Sequence, residues 1–187
     1  LVSILESMGA RDVSTYIQSG NVVFTSAIAH RLQFCEKLAD KIQLLKGFAP
    51  QLFLLGKADL DRAIELNPFP VEDGKNLHCF FLAQEVERSS LEELAKIRID
   101  SELFHLEEQV FYLYAPEGIG RSKLAARVEK ILGVATTARN WNTLVKLTQL
   151  SDAWFGKEEK HFYGQASSEY QEGKADAMNL YLRAEVV

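Results

Sequence analysis

Apolar residues recur first at helical spacing: Leu1, Ile4, Leu5 and Met8 form one stripe, and Gly9 follows where a left-handed C-terminal cap belongs. The period then changes. Val13, Thr15 and Ile17 alternate with Ser14, Tyr16 and Gln18, Ser19-Gly20 interrupts, and residues 21–25 are again β-branched and aromatic. That pattern predicts a hairpin with Gly20 at positive φ. Over 29–46, Leu32, Cys35, Ala39, Ile42 and Leu45 predict the buried stripe of a helix ending near Gly47 and Pro50, and 51–56 reads as a short apolar strand.

The order helix, strand, strand, helix, strand is a β-α-β-β-α-β unit without its first strand. The second half repeats it in full. A strand is predicted over 76–83, a helix over 90–97, a hairpin over 101–106 and 109–115, a helix over 121–132 and a last short strand over 135–138. A helix over 58–66 and the Asn67-Pro-Phe-Pro turn join the halves, and a final helix runs over 141–150. The expected fold is α+β, a tandem pair of ferredoxin-like halves: a truncated one over 1–57, a connector over 58–75, and a second half with its final helix over 76–150. Residues 151–187 read as an extension with a weak helical pattern over 174–183. An absent opening strand should leave the 13–18 or 51–56 strand with an unpaired edge, because that strand lies between others.

Composition adds limits. The 187 residues are 47% hydrophobic and 25% charged, which excludes a disordered or collagen-like chain. No apolar run approaches the roughly 20 residues that span a bilayer, so no membrane partner is expected. With 21 basic against 26 acidic residues the net charge is -5. Nucleic acid is therefore a disfavoured partner, and any anion site must be local. Two cysteines, Cys35 and Cys79, suggest a reducing, cytoplasmic compartment. The first residues read as the last turns of a helix rather than a signal peptide, and the sequence is expected to start late.

The candidate chemistry is sparse. His30, His78, His105 and His161 lack metal-ligand spacing, no cofactor motif is present, and no catalytic set can be named. The most informative segment is the turn 116–123, where Gly118 and Gly120 precede Arg121, Ser122 and Lys123 at a predicted helix start. Cations in a first helical turn oppose the helix dipole, a conflict that a bound phosphate or carboxylate would resolve. The alternative is a solvated turn capped by Gly120 or Ser122. Between 115 and 150, basic residues outnumber acidic ones six to two. Arg139 and Asn142 flank Trp141 at the next helix start, where Asn140 fits a cap and Trp141 a core anchor. The sharper reading sets Arg139 and Asn142 beside the glycine turn, with Gln18 and Asn21 of the first hairpin as further candidates.

The runs Tyr16-Ile-Gln-Ser-Gly-Asn-Val-Val-Phe, Asn67-Pro-Phe-Pro, Gly118-Ile-Gly-Arg-Ser-Lys-Leu and Thr137-Ala-Arg-Asn-Trp-Asn-Thr occur in one chain in that order. Together they resemble domain of unknown function 1697, a family of small bacterial cytoplasmic proteins. The resemblance extends from Leu1 to about Leu150 and implies the duplicated ferredoxin-like fold. Members open with a strand and a Leu-Arg-Gly-Ile-Asn-Val-Gly-Gly-like turn that this chain lacks. The resemblance brings no activity, substrate or catalytic residue. The expected function is binding of a phosphate-bearing or other anionic small ligand between the two halves. An enzyme acting on such a ligand, or an interaction and oligomerisation module, stands as the alternative.

Overall fold

The computed structural model describes residues 1–16, 20–28, 30–87, 89–162 and 176–183. In chain order the elements are α1 (Val2–Ser7), β1 (Arg11–Tyr16), β2 (Asn21–Ser26), α2 (Arg31–Lys46), β3 (Gln51–Gly56) and α3 (Lys57–Glu65). They continue with β4 (Leu77–Leu82), α4 (Ser89–Ile97), β5 (Leu103–Glu107), β6 (Val110–Tyr114), α5 (Val128–Leu132), β7 (Thr136–Asn140), α6 (Trp141–Phe162) and β8 (Asp176–Arg183). The result is a mixed α/β fold with two four-stranded antiparallel sheets, ordered β1-β2-β8-β3 and β5-β6-β4-β7. The chain forms two compact units: Leu1–Asp61 with Lys146–Val187, and Arg62–Val145.

In the first unit, Ile4 and Leu5 of α1, Val22 and Phe24 of β2, Phe34, Leu38 and Ile42 of α2 and Leu54 of β3 form one core. The Phe24 and Phe34 rings stack at 5.8 Å. Each such side chain removed from water contributes about 1.5–3 kcal/mol. The buried face of α2 differs from the expected stripe. Phe34, Leu38 and Ile42, four residues apart, point inward, Cys35 and Ala39 are half-buried, and Leu32 and Leu45 are 74% and 62% exposed. At 100° per residue, Leu32 falls well outside the arc shared by Phe34, Leu38 and Ile42. Gly47 caps α2 at φ 81°, the left-handed conformation for which glycine is suited.

One expectation about this sheet is corrected: the 174–183 segment, read as weakly helical, is strand β8. The expected open edge is present, because among the described residues β1 pairs with β2 alone and β3, along 51–56, with β8 alone, so both strands stand at the rim of the sheet.

The second unit packs Phe80, Leu82, Leu94, Phe111, Leu113, Leu124, Val128 and Leu132 into its core. Phe111 stacks on Phe104 at 5.4 Å and meets Phe80 edge-on at 5.9 Å. The buried Tyr112 hydroxyl donates to the Ala63 carbonyl at 2.8 Å, which satisfies the one polar group of that side chain. The helix predicted over 121–132 is shorter than expected. Two 3-10 turns, Ile119–Arg121 and Ala125–Arg127, precede a helix that begins only at Val128. Gly118 at φ 95° and extended Ser122 at φ -71°, ψ 114° break the helical run. The final helix runs well past the expected 150, through Phe162. Trp141, expected in the core, is half-buried at the first position of α6, whereas Leu144 and Leu147 are fully buried.

Candidate functional site

The glycine turn closes on itself. The Arg121 N–H donates to the Gly118 carbonyl at 3.1 Å, the Ser122 N–H to the Ile119 carbonyl at 3.1 Å, and the Ser122 hydroxyl accepts from the Ala125 N–H at 2.9 Å. Ser122 is thus the buried cap of the following 3-10 turn, while Arg121 and Lys123 are exposed. Because α5 starts at Val128, neither cation stands in a helix's first turn. Arg121 ends its short 3-10 turn, the carbonyl end, where positive charge is favoured. The dipole conflict behind the expected anion site is absent. A side chain added at Gly118 or Gly120 would meet open space, so neither glycine is held by crowding, and Gly118 owes its identity to φ 95°.

Arg139 lies in β7 opposite Cys79, where its guanidinium donates to the Thr137 hydroxyl at 3.0 Å and the Ala138 carbonyl at 2.6 Å. Asn140 accepts from the Thr143 N–H at 2.8 Å and caps α6 as expected. The Asn142 carboxamide lies against Gly74, so close that a Cβ there would sit 2.1 Å from Oδ1. The second unit therefore holds Gly118, Gly120, Arg121, Ser122 and Lys123 as one turn, and Arg139 and Asn142 each have a local partner. Asn21 belongs to the first unit, where it is buried and donates to the Tyr16 carbonyl at 3.1 Å, closing the hairpin. Gln18 lies outside the described residues.

A different set converges within the first unit. Ser7 and Met8 at the end of α1, Ser26 to Ile28 after β2, and His30, Gln33, Phe34, Lys37, Asp40 and Lys41 along α2 line a concavity of about 590 Å³. That volume lies in the range of small-molecule sites. Gln33, Lys37 and Lys41 follow one another at four-residue steps, so they share a helix face with His30 just before it. Lys41 Nζ donates to the Ser7 hydroxyl at 3.2 Å. Phe34 is buried and Met8 and Ile28 are half-buried, so the lining combines apolar groups with hydroxyls, two lysines and the Asp40 carboxylate. The helical spacing of Gln33, Lys37 and Lys41 was visible in the sequence, but the approach of Ser7 and Ser26 was not.

Other titratable groups are structural. Burial pushes the Cys79 thiol up to about 12, and burial followed by the Glu36 charge pushes Cys35 up to about 11, so neither is an activated nucleophile. His78, inside β4, is held below the usual imidazole range by burial, opposed by a backbone hydrogen bond to Asn76. Among the described residues, no group of three or more His, Cys, Asp or Glu could hold a metal ion, and no helix is long and apolar enough to cross a membrane.

Two antiparallel sheets with packed helices and a cationic concavity beside one of them define a mixed α/β protein with a candidate small-ligand site. The chain belongs to the family described as protein of unknown function (DUF1697), whose model matches residues 1–112. It is similar in fold to the conserved bacterial protein SP0830 from Streptococcus pneumoniae, at 22% identity and a TM-score of 0.57, over 79% of this chain and 84% of that one. No curated protein matches the chain.

Proposed function

We propose that this is a cytoplasmic bacterial protein that binds a small anionic ligand, phosphate or carboxylate, through the concavity of its first unit. The observation that carries this reading is that Lys37, Lys41 and His30 line, together with Phe34, one concavity of about 590 Å³. Lysine ammonium groups and the Ser26 hydroxyl offer charge-assisted hydrogen bonds to an anion, while Ser7, which donates to the Ile4 carbonyl at 2.7 Å, accepts from Lys41 and orients it. The apolar lining residues Met8, Ile28 and Phe34 suit a ring or short chain attached to it. A second reading keeps the exposed Arg121 and Lys123 of the glycine turn as the anion site, favoured by the open space around Gly118 and Gly120. We also read the units as tandem ferredoxin-like halves over 1–57 and 76–150. The strand order β5-β6-β4-β7, with α4 and α5 as the two crossovers, supports that reading for the second half.

Thermal shift with inorganic phosphate and a nucleoside monophosphate, at low and high salt, tests the proposal. Lys37→Glu with Lys41→Glu should abolish stabilisation, and Arg121→Glu should leave it intact. The reverse outcome moves the site to the glycine turn, and no stabilisation by either anion removes the proposal. Turnover of the monophosphate would mark an enzyme.

A further inference from the structure

Four cations of the second unit stand without partners. Arg121, Lys123, Arg127 and Lys130 are exposed, and among the described residues none of their side chains enters a hydrogen bond or an ion pair. By contrast, Arg31, Lys57, Arg62 and Lys75 each hold a carboxylate. The unpaired four run from the 3-10 turn Ile119–Arg121 into α5. From Lys123 to Lys130 the helical rise is about 10 Å, so these charges form a strip rather than a point.

Gly120, inside this strip, has no explanation within the chain. Its φ is not positive and a Cβ on it would meet nothing within 4 Å. Among the described residues it is the one glycine for which both statements hold. Gly9, Gly20, Gly47, Gly118 and Gly133 have positive φ, and Gly56 and Gly74 lie against the Arg31 and Asn142 side chains. Glycine here costs stability through the freedom of the unfolded chain, and close approach of another molecule is the use that remains for it.

The complementary charge lies on the same face. α4 and α5 pack side by side over one face of the second sheet, where Leu94, Val128 and Leu132 share a core with Phe80 and Phe111. Glu85, just before α4, and Glu92 and Glu93 within it are exposed and also hold no partner among the described residues. Lys96 is exposed further along α4, so the acidic strip is confined to the N-terminal end of that helix. A face with an acidic and a basic strip is self-complementary, because a two-fold axis in the interface plane lays each strip on the opposite one of a second copy. Exposed Ala95 and Ala126 are small, which lets two such layers approach. A nucleic acid fits less well: the acidic strip repels phosphates, and 118–132 holds no aromatic residue on which a base could stack.

We propose that this face of the second unit is a self-association surface, on which Arg121, Lys123, Arg127 and Lys130 of one copy meet Glu85, Glu92 and Glu93 of a second, with Gly120 at the closest approach. Such pairs steer encounter and fix orientation more than they add affinity, so the dimer is concentration-dependent and salt-sensitive. The proposal is independent of the concavity in the first unit. At the glycine turn, carboxylates of a second chain take the place of a small anion.

Sedimentation of the full chain over a concentration series, at about 0.05 and about 0.5 M NaCl, tests it. A monomer–dimer equilibrium is expected at low salt, weakened about tenfold or more at high salt. One triple variant carries Glu85→Lys, Glu92→Lys and Glu93→Lys, and another Lys123→Glu, Arg127→Glu and Lys130→Glu. Each alone should stay monomeric, because each sets like charges against each other, and an equal mixture of the two should associate again. Gly120→Gln adds no charge and should melt no lower than the parent, yet weaken the dimer about tenfold or more by overpacking the contact. It carries the test should a charge reversal prevent folding. The proposal is overturned if the parent chain stays monomeric at low salt, if the folded reversed variants still dimerise, or if their mixture does not associate. It is equally overturned if Gly120→Gln dimerises as the parent does. A monomeric chain that binds duplex DNA or RNA, and loses it with Lys123→Glu and Arg127→Glu, would assign the strip to nucleic acid instead.

Discussion

β4, flanked by β6 and β7, pairs with β6 across 29 to 37 residues of chain, whereas β8, flanked by β2 and β3, meets β2 across 150 to 160. The two sheets share a layout of four antiparallel strands with one inner strand bridging two others. The second unit draws that strand from its own contiguous chain, and the first borrows it from beyond the second. The difference teaches that a strand's place in a sheet is set by hydrogen-bonding rows and core pattern, and chain order decides only how costly it is to reach. For a flexible chain, the longer closure costs about 1.4 kcal/mol more by the logarithm of loop length.

The comparison is broken most forcefully through the cores. Phe111→Ala removes a fully buried ring held between Phe80 and Phe104 and should cost about 3–5 kcal/mol; Phe24→Ala, which removes the partner of Phe34, should cost a similar amount. Amide exchange at moderate denaturant should show Phe111→Ala loosening β4 to β7, and Phe24→Ala loosening β1 to β3 with β8. Loss of protection spread evenly over both sheets in both variants would show one cooperative core instead of two.

Refolding order sharpens the same contrast. The extra closure cost corresponds to about tenfold in rate, so pulsed amide labelling should protect β4 and β6 about ten times sooner than β2 and β8. Simultaneous protection would mean that β8 docks in an early, already compact state.

How much of this was legible from the residues depended on whether the information was local. β3 was read over 51–56 as it stands, and Gly9, Gly20 and Gly47 were read as turn or cap residues and have φ of 89°, 76° and 81°. These depend on short-range period and backbone freedom. Phe34 was missed because the stripe from Leu32 to Leu45 also fits a helical period, and only packing against Val22 and Phe24 selects between the faces. β8 was misread because its apolar residues satisfy two periods loosely, and pairing on both sides decides for the strand. Arg121 and Lys123 were seen, but the helix assigned to them begins at Val128, since Gly118 and Ser122 leave helical φ/ψ. The lysines of α2 gain meaning only beside Ser7, which no local pattern brings there.

The two thiols probe the units separately. Cys35 is half-buried in α2, and Cys79 is fully buried in β4. At pH 8 a thiol reagent should label Cys35 slowly, and Cys79 only on unfolding of the second unit. Burial raises Cys79 from the ordinary thiol value of 9.0 to about 12, so the folded state favours the neutral thiol. That contribution to stability is complete below pH 9 and falls by about 1.4 kcal/mol per pH unit as pH rises from 9 towards 12. Cys79→Ala should flatten the alkaline decline measured by denaturant unfolding at pH 9 and 10. An unchanged slope would assign the decline to other groups.

The smallest expected effect compares two residues in the left-handed backbone region, one in each unit: Asp12 at φ 55° and Glu108 at φ 51°. Glycine adopts this region without the Cβ clash, so both Asp12→Gly and Glu108→Gly relieve local strain at the cost of a freer unfolded chain. What each side chain does elsewhere separates them. Asp12 lies in the β-bulge between Arg11 and Ser14, and its carboxylate is the nearer acceptor of the buried Thr25 hydroxyl, at 3.0 Å against 3.3 Å for the Arg11 carbonyl. Glu108 forms the β5–β6 turn and pairs with Arg62 at 2.6 Å, with both side chains about half exposed. Losing the nearer acceptor of a buried hydroxyl, which leaves Thr25 only the longer bond to the Arg11 carbonyl, is felt at any ionic strength, whereas an exposed ion pair is screened by salt. Melting at about 0.05 and about 0.5 M NaCl should therefore show Asp12→Gly below the parent by the same margin in both. Glu108→Gly should be close to the parent at low salt and at or above it at high salt. If Glu108→Gly melts lower at both salts while Asp12→Gly matches the parent, the roles assigned to the two carboxylates are reversed: the Arg62 pair holds its turn, and the bulge is held by backbone pairing with β2 alone.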